Sequence, residues 1–250
     1  MNTVLLDFHT RAKEVNDYFI FLENLEKQTT KLAIIDPAGT YKIQSLDTEL
    51  VNTLIDPAAT YKMQSLDSEL AKTLKANGFL LLYNLVESTM RNAIEAIFDE
   101  FKNKAISFDR LKPKIKLIVL QNLKNRSPNK IHSTINQIST DIITATFERE
   151  ELFSGNVDAR LIKEIAEKYG FSYQTNAKDT KNGENLLVVK TNRNDLAHGI
   201  KSFEEVGRDQ TINKLLEIKE EIVEYLTQIL ENIRDYLDNE EYLELPTVNP

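Results

Sequence analysis

The chain has 250 residues, no cysteine and a formal net charge of −8 at pH 7. Its 41% hydrophobic and 28% charged residues are ordinary for a globular protein with a buried core, and they exclude a disordered chain. The absence of cysteine excludes disulfides, thiolate metal sites and a cysteine nucleophile, and it fits a reducing compartment, so we expect a cytoplasmic protein. Charges interrupt the first turns, and the most apolar run, GFLLLYNLV, is shorter than the ~20 residues of a membrane span, so we expect neither a signal peptide nor a membrane contact.

The first predicted element is an amphipathic helix, because apolar residues recur at helical spacing between positions 3 and 29. A tandem duplication follows, in which IIDPAGTYKIQSLDTEL at 34–50 returns as LIDPAATYKMQSLDSEL at 54–70. Each copy predicts a turn at Asp-Pro, a short extended piece and the start of a helix. Two copies are too few for a solenoid, so we interpret the duplication as an inserted surface excursion rather than a ligand-binding repeat.

The rest of the chain shows helical patterns separated by turn signals. The longest pattern runs from about 67 to 104, and its middle is apolar nearly all the way round, which is typical of a helix buried among several neighbours or in a subunit interface. Nothing predicts a sheet, so we expect an all-α protein that dimerises through its long helices. Further helices are predicted after Asp109 with Pro113 in the first turn, after Pro128, between caps at Asp158 and Gly170, and from a cap at Thr211, with a polar loop at 174–185. The predicted parts are an N-terminal helix (1–31), the duplicated insert (32–70) and a helical domain (71–245).

Basic residues are concentrated in one segment of this acidic chain. Between Lys102 and Lys130 there are nine basic residues and one acidic residue, Asp109. The overall negative charge argues against nucleic acid, but this segment could follow a phosphate backbone; the alternative is an ordinary solvated face. The RNA-binding candidates in it are Lys112, Lys114, Lys116, Lys124, Arg126 and Lys130.

The stretch TNRNDLAHGIKSFEEVGR at 191–208 places Arg193 and His198 five residues apart. Histidine can move a proton near neutral pH, and the guanidinium fork of arginine fits phosphate oxygens, so the two side chains could cleave RNA without a metal. On a regular helix they would lie about 140° apart. A complete site therefore needs either a helix end, for which Gly199 is a suitable left-handed stop, or two protomers that share a cleft.

The motif RNDLAHG resembles the R-x4-6-H signature of the HEPN superfamily. Three segments resemble, in this order, segments of a prokaryotic HEPN branch that is often found among toxin and phage-defence genes: FLLLYNLVESTMRNAIEAI, SGNVDARLIKEIAEKYGF and RNDLAHGIKSFEEVGRDQT. The resemblance covers residues 70–240. The resemblance implies a dimeric helical bundle and a metal-independent endoribonuclease with no cofactor. It assigns Arg193 to the phosphate, His198 to acid or base catalysis, and Asn194 to their orientation.

Three further residues are candidates for an accessory role, two of them by the resemblance. Glu87 and Arg91 match an E-x-x-x-R pattern near the site of some HEPN nucleases, although they could simply pair with each other. Arg208 is a candidate phosphate contact. In HEPN toxins that are silenced by modification, a tyrosine stands two residues after the histidine; Ile200 stands there in this chain, so such silencing is not expected.

Each site residue also has a structural interpretation. His198 could cap a helix end, Arg193 could pair with Asp195 at the surface, and Ser202 with Glu205 has the spacing of a capping box. A non-catalytic HEPN module that binds RNA, a nucleotide or a partner protein is the competing function, and the sequence pI of about 5.1 favours it. A third alternative is a helical dimer with a purely structural role. The expected partners are RNA, a second copy of the chain, and an antitoxin or defence-system protein.

Overall fold

The computed structural model describes residues 1–27, 32–35, 41–43, 62–63, 68–135, 138–149, 152–153 and 155–244. The described residues are mainly helical, which confirms the all-α class. The helices are α1 (Asn2–Lys27), α2 (Ser68–Asn103), α3 (Pro113–Lys124), α4 (Pro128–Thr134), α5 (Ile138–Ala145), α6 (Ala159–Tyr169), α7 (Ala177–Thr180), α8 (Glu184–Ala197), α9 (Phe203–Arg208) and α10 (Ile212–Asp238). Short 3-10 turns lie at Phe108–Arg110 and Lys181–Gly183.

Helix α2 is the centre of the fold, because α1, α5, α8, α9 and α10 all pack against it. Its apolar middle is buried, as the all-round apolar pattern predicts, with side chains such as Phe79, Leu82 and Ile94 fully enclosed. Helix α10 is amphipathic and buries a stripe from Leu215 to Leu237 in the same core. One hydrophobic core thus connects the first and the last helices.

Helix α1 is fixed to α2 by its buried side. Phe8, Val15 and Phe19 belong to the common core, and the Tyr18 hydroxyl donates a 2.6 Å hydrogen bond to the Leu74 carbonyl. The first helix therefore packs as part of the helical core. The three-part division of the chain stays a prediction.

A small sheet was not predicted. Strands β1 (Leu32–Ile35), β2 (Tyr41–Ile43) and β3 (Lys62–Met63) form an antiparallel sheet in the order β2-β1-β3. The last two strands coincide with the extended pieces predicted in the two copies of the duplication. The Asp-Pro turns and the helix start of the first copy lie outside the described residues.

Three local predictions need correction. The helix expected after Pro128 is two helices, because Ile135 is extended with ψ 117° between α4 and α5. The segment 174–185 is not a plain loop: Asn176 caps α7 by accepting a 3.1 Å hydrogen bond from the Lys178 N–H, and a 3-10 turn follows. The helix expected after Asp109 begins only at Pro113, after a 3-10 turn.

The predicted caps elsewhere are confirmed. Asp158 accepts from the Leu161 N–H at 2.9 Å, α6 ends at Gly170, and Thr211 accepts from the Lys214 N–H at 3.2 Å. Across the described ranges, no helix is both long and apolar enough to cross a membrane.

Candidate active site

The RNDLAHG motif forms the C-terminal end of α8. His198 is the C-cap residue, and Gly199 follows in the left-handed region with φ +66°. The Gly199 N–H donates to the Leu196 carbonyl at 3.3 Å and the Ile200 N–H to the Asp195 carbonyl at 2.8 Å, which is the Schellman pattern. The predicted glycine stop is confirmed, and the motif lies where the backbone leaves regular helical geometry.

The His198 imidazole is exposed to solvent. Its backbone N–H donates to the Asn194 carbonyl, but among the described residues no hydrogen bond or ion pair involves the ring. The cap at this helix end is therefore made by the backbone and not by the imidazole. Both ring nitrogens remain available for proton transfer.

Arg193, in contrast, is held on several sides. Its guanidinium carbon lies 4.6 Å from the centre of the Tyr83 ring. Its Nη1 donates to the Asn194 Oδ1 at 2.9 Å and, weakly, to the Gly155 carbonyl at 3.5 Å. The surface pair with Asp195 is not formed, because the Asp195 carboxylate lies 2.7 Å from the Lys201 Nζ.

Asn194 connects the arginine to the segment between α5 and α6. We call the described residues 149, 152–153 and 155–157 the connecting segment. The Asn194 Nδ2 donates to the Asn156 Oδ1 at 3.0 Å, and the Asn194 Oδ1 accepts a hydrogen bond from the Arg193 Nη1. Asn194 thus orients Arg193 against this segment.

Helix α2 holds the connecting segment from the other side. Glu87 and Arg91 pair at 2.7 Å, and their side chains are only 23% and 18% exposed. The Arg91 Nη1 also donates to the Arg149 carbonyl at 2.5 Å, and the guanidinium lies 5.6 Å from the centre of the Phe153 ring. Glu87 and Arg91 therefore pair with each other, and Arg91 also supports the connecting segment beside the candidate site. The two interpretations, a simple ion pair and accessory residues, are compatible.

Tyr83 lies one turn before Glu87 on the same side of α2. Its hydroxyl accepts a 3.1 Å hydrogen bond from the Val157 N–H. Burial raises the pKa of Tyr83 to about 12, and the nearby Glu87 carboxylate acts in the same direction. The hydroxyl therefore stays neutral at physiological pH.

Comparison with known families decides the identity. Residues 1–242 match the MAE_28990-like HEPN family. The protein is a HEPN protein. Searches of curated proteins and of solved structures found no match. The family match also includes α1 and the duplication, which the resemblance seen in the sequence did not cover.

Membership sets the class of function: HEPN domains are nuclease-related, RNA-related or nucleotide-binding modules. Within the part of the HEPN chain that the structure describes, no three His, Asp or Glu residues are grouped so that they could hold a metal ion. The arrangement at α8 combines a fixed cation with an exposed imidazole. These are the two chemical components of phosphodiester cleavage without a metal.

Arg208 of the HEPN protein ends α9 and is exposed, 3.6 Å from Asp209. The capping box predicted at the start of this helix is confirmed. The Ser202 side chain accepts a hydrogen bond from the Glu205 N–H at 3.2 Å, and the Glu205 side chain accepts one from the Ser202 N–H at 2.7 Å. Both residues therefore start α9. No described contact connects Arg208 to Arg193 or His198.

The basic segment is partly occupied by the protein itself. Lys116 pairs with Glu244 at 3.0 Å, and the Lys114 Nζ donates to the Glu167 carbonyl at 3.1 Å. The Arg126 side chain is 7% exposed and donates to the Thr146 carbonyl at 3.2 Å. Lys112 and Lys124 are exposed, whereas the Lys130 side chain lies outside the described part of the structure.

Sequence reasoning missed Tyr83, Gly155 and Asn156. Tyr83 lies inside the apolar run of α2, where the pattern predicts a core residue. Gly155 and Asn156 precede the cap at Asp158, and a Gly-Asn pair indicates only a turn. The spacing of Tyr83, Glu87 and Arg91 at successive turns is the signal that could have found the first of them.

Proposed function

We propose that this HEPN protein is a metal-independent endoribonuclease of a toxin or phage-defence system. The observation that carries the proposal is the contrast at the end of α8: Arg193 is fixed by Asn194 and Tyr83, while the His198 imidazole is exposed and without a partner among the described residues. A fixed cation suits a phosphate that must be held in place. A free imidazole suits a group that must exchange protons.

The proposed reaction is an attack of the RNA 2′-OH on the adjacent phosphorus. A base removes the 2′-OH proton as the 2′-O–P bond forms, and an acid gives a proton to the 5′-oxygen as the P–O5′ bond breaks. Arg193 compensates the negative charge that develops on the phosphoryl oxygens. The products are a 2′,3′-cyclic phosphate and a 5′-hydroxyl end.

A homodimer is part of the proposal, because one His198 cannot be placed on both sides of the phosphorus at once. Large apolar side chains are exposed on the motif helix and just after it, with Leu187 55%, Val188 38% and Ile200 68% exposed. Such side chains support a contact with a second copy of the chain. Light scattering of the purified protein measures this state directly.

The decisive experiment is cleavage of end-labelled RNA in excess EDTA by wild type and His198→Ala. We expect 2′,3′-cyclic phosphate ends from wild type and a loss of about 10²–10⁴-fold in rate in the variant. The matched control is His132→Ala, which removes another exposed histidine, on α4. Equal cleavage by wild type and His198→Ala would refute the assignment.

The non-catalytic module is the second candidate, and the state of the basic segment favours it. Lys114, Lys116 and Arg126 already bind groups of the protein, which leaves fewer free cations for an RNA backbone. In that case a nucleotide or a partner protein, rather than a long RNA, is the ligand, and it binds without cleavage. Toxicity on expression that His198→Ala relieves would favour the enzyme, and the antitoxin or defence partner would then be sought by its ability to suppress this toxicity.

A further inference from the structure

Tyr83 and Gly155 both lie against the Arg193 guanidinium. The ring of Tyr83 lies 4.6 Å from the guanidinium carbon, and a β-carbon built on Gly155 would lie 3.5 Å from Nη1. We propose that these two residues form a slot that fixes Arg193 and leaves the Nε–Nη2 edge of its guanidinium to bind phosphate. Tyr83 is then a positioning residue. The inference depends on the proposed function only in taking Arg193 as the phosphate-binding group.

The ring of Tyr83 explains how the cation is held. The face of an aromatic ring carries negative potential and attracts a guanidinium, and this attraction increases when water is excluded. Tyr83 is 1% exposed, so the ring cannot turn away into solvent. A leucine at this position would fill part of the space without attracting the charge.

The hydroxyl of Tyr83 connects the ring to the segment that carries the other wall of the slot. It accepts from the Val157 N–H, two residues after Gly155. The same tyrosine therefore contacts the guanidinium with its ring and fixes the other wall with its oxygen. A phenylalanine would keep the first contact and leave a buried N–H without its acceptor.

Gly155 is suited to the second wall because of its backbone conformation. Its φ is +80°, a region in which other residues are strained. This conformation turns the Gly155 carbonyl toward the Arg193 Nη1 and places bare backbone against the guanidinium. A side chain here would strain the turn and alter the slot.

The pattern of donors indicates which edge of Arg193 is free. Both described hydrogen bonds of the guanidinium use Nη1, one to Asn194 and one to Gly155. Within the described residues, Nε and Nη2 have no acceptor. These two N–H groups form one of the parallel pairs with which arginine binds two oxygens of a phosphate.

The slot is tested first without any activity. In an NMR spectrum, an Arg193 Nε–H above the Tyr83 ring is expected to resonate upfield of the other arginine Nε–H signals, with the assignment given by its disappearance in Arg193→Ala. Tyr83→Phe should keep the upfield position and Tyr83→Leu should remove it. An Arg193 signal at the ordinary position in wild type would overturn the slot, even if the leucine variant fails to fold.

The phosphate role is tested with a 2′-O-methyl RNA oligonucleotide, which binds but cannot be cleaved by 2′-OH attack. We expect Tyr83→Leu to weaken binding about threefold to tenfold in the wild-type background and to change nothing in the Arg193→Ala background. The control is Tyr236→Leu, which removes a tyrosine that is 2% exposed and whose hydroxyl donates to the Tyr169 carbonyl. A merely structural role would give equal losses in both backgrounds and in the control.

Failure of the slot and failure of the proposed endoribonuclease function give different results. An upfield Arg193 signal together with binding that depends on both residues supports the proposal, whether or not natural RNA is cleaved. The same binding result without cleavage would refute the endoribonuclease and leave the slot in place. Binding that is unaffected by Arg193→Ala would overturn the phosphate role of the slot.

Discussion

Two segments pack on α2 in opposite ways. Helix α9 lies against the start of α2 so closely that a β-carbon on Gly207 would be 1.9 Å from the Lys72 carbonyl oxygen. The connecting segment lies against the middle of α2 through long polar side chains, among them Arg91 and Tyr83. The first contact is between two backbones, and the second is between a backbone and side chains that reach it.

This difference indicates how each contact can be broken. Two backbones in contact cannot be separated in part, so the contact of α9 with α2 is kept or lost as a whole. The contact of the connecting segment consists of individual side-chain hydrogen bonds, so one substitution can remove one of them. Arg193 packs beside this second segment, and the candidate phosphate-binding group therefore depends on a few contacts that can be removed separately.

The largest effect is expected when the backbone contact is broken by Gly207→Ala. The added methyl group would overlap the Lys72 carbonyl, so α9 must move away from α2. We expect a loss of about 3 kcal/mol or more in the free energy of unfolding, or a failure to fold. Chemical denaturation measures the loss.

Gly199→Ala is the matched control for that variant. No atom lies within 4 Å of a β-carbon at Gly199, so only the strain of a positive φ is added. We expect a loss of about 1 kcal/mol in the free energy of unfolding. Equal losses at the two positions would show that the approach of α9 to α2 is not as close as described.

A smaller effect is expected when the polar contact is broken by Arg91→Ala. The change leaves the mostly buried Glu87 carboxylate without its partner and removes the donor to the Arg149 carbonyl. We expect a loss of about 2 kcal/mol in stability together with weaker binding of RNA, because the connecting segment also positions Arg193.

Arg160→Ala is the control for Arg91→Ala, because it also removes an arginine from an ion pair within one helix. Arg160 has an i,i+4 partner in Glu164 at 3.8 Å, but its side chain is 82% exposed. Such a pair contributes about 0.5 kcal/mol at most to the free energy of unfolding, so we expect a loss no larger than this in Arg160→Ala. A loss at Arg91 no larger than the loss at Arg160 would mean that the polar contact does not hold the segment.

The same contrast explains what the sequence could predict. The caps at Asp158, Ser202 and Thr211 and the stop at Gly199 depend on neighbours within a few residues, so their local patterns suffice. The all-round apolar middle of α2 likewise predicts its burial. Arg193, Asn194 and His198 could be found because they share one motif.

The slot could not be predicted in this way. Tyr83, Gly155 and Arg193 are far apart in the chain and meet only through the packing of α8 on α2. The spacing of Tyr83 and Glu87 places both on one side of α2, but it does not show that the ring meets Arg193. The break at Ile135 has a local signal instead: Ser133, Thr134 and Asn136 around it have low helix propensity, although the spacing of the apolar residues predicts one continuous helix.

The smallest effect is expected at Asp158, which follows the connecting segment and binds the Lys190 Nζ of α8. Burial acts to raise the pKa of Asp158, but the hydrogen bonds from Lys190 and from the Leu161 N–H outweigh it, so the pKa lies below its ordinary value. A carboxylate with a depressed pKa stabilises the fold above its unfolded pKa of about 3.9, and that contribution is lost as the pH falls through the folded value.

Asp158→Asn isolates the charge, because asparagine still caps a helix well. We expect the variant to be about 1 kcal/mol less stable than wild type at pH 7, with the difference shrinking as the pH falls below about 4, since wild type then loses the same charge. Denaturation at a series of pH values measures this convergence. A difference that stays constant down to the lowest pH would show that the carboxylate charge does not hold α8 beside the connecting segment, and the described polar contacts from α8 to that segment would then be those of Arg193 and Asn194.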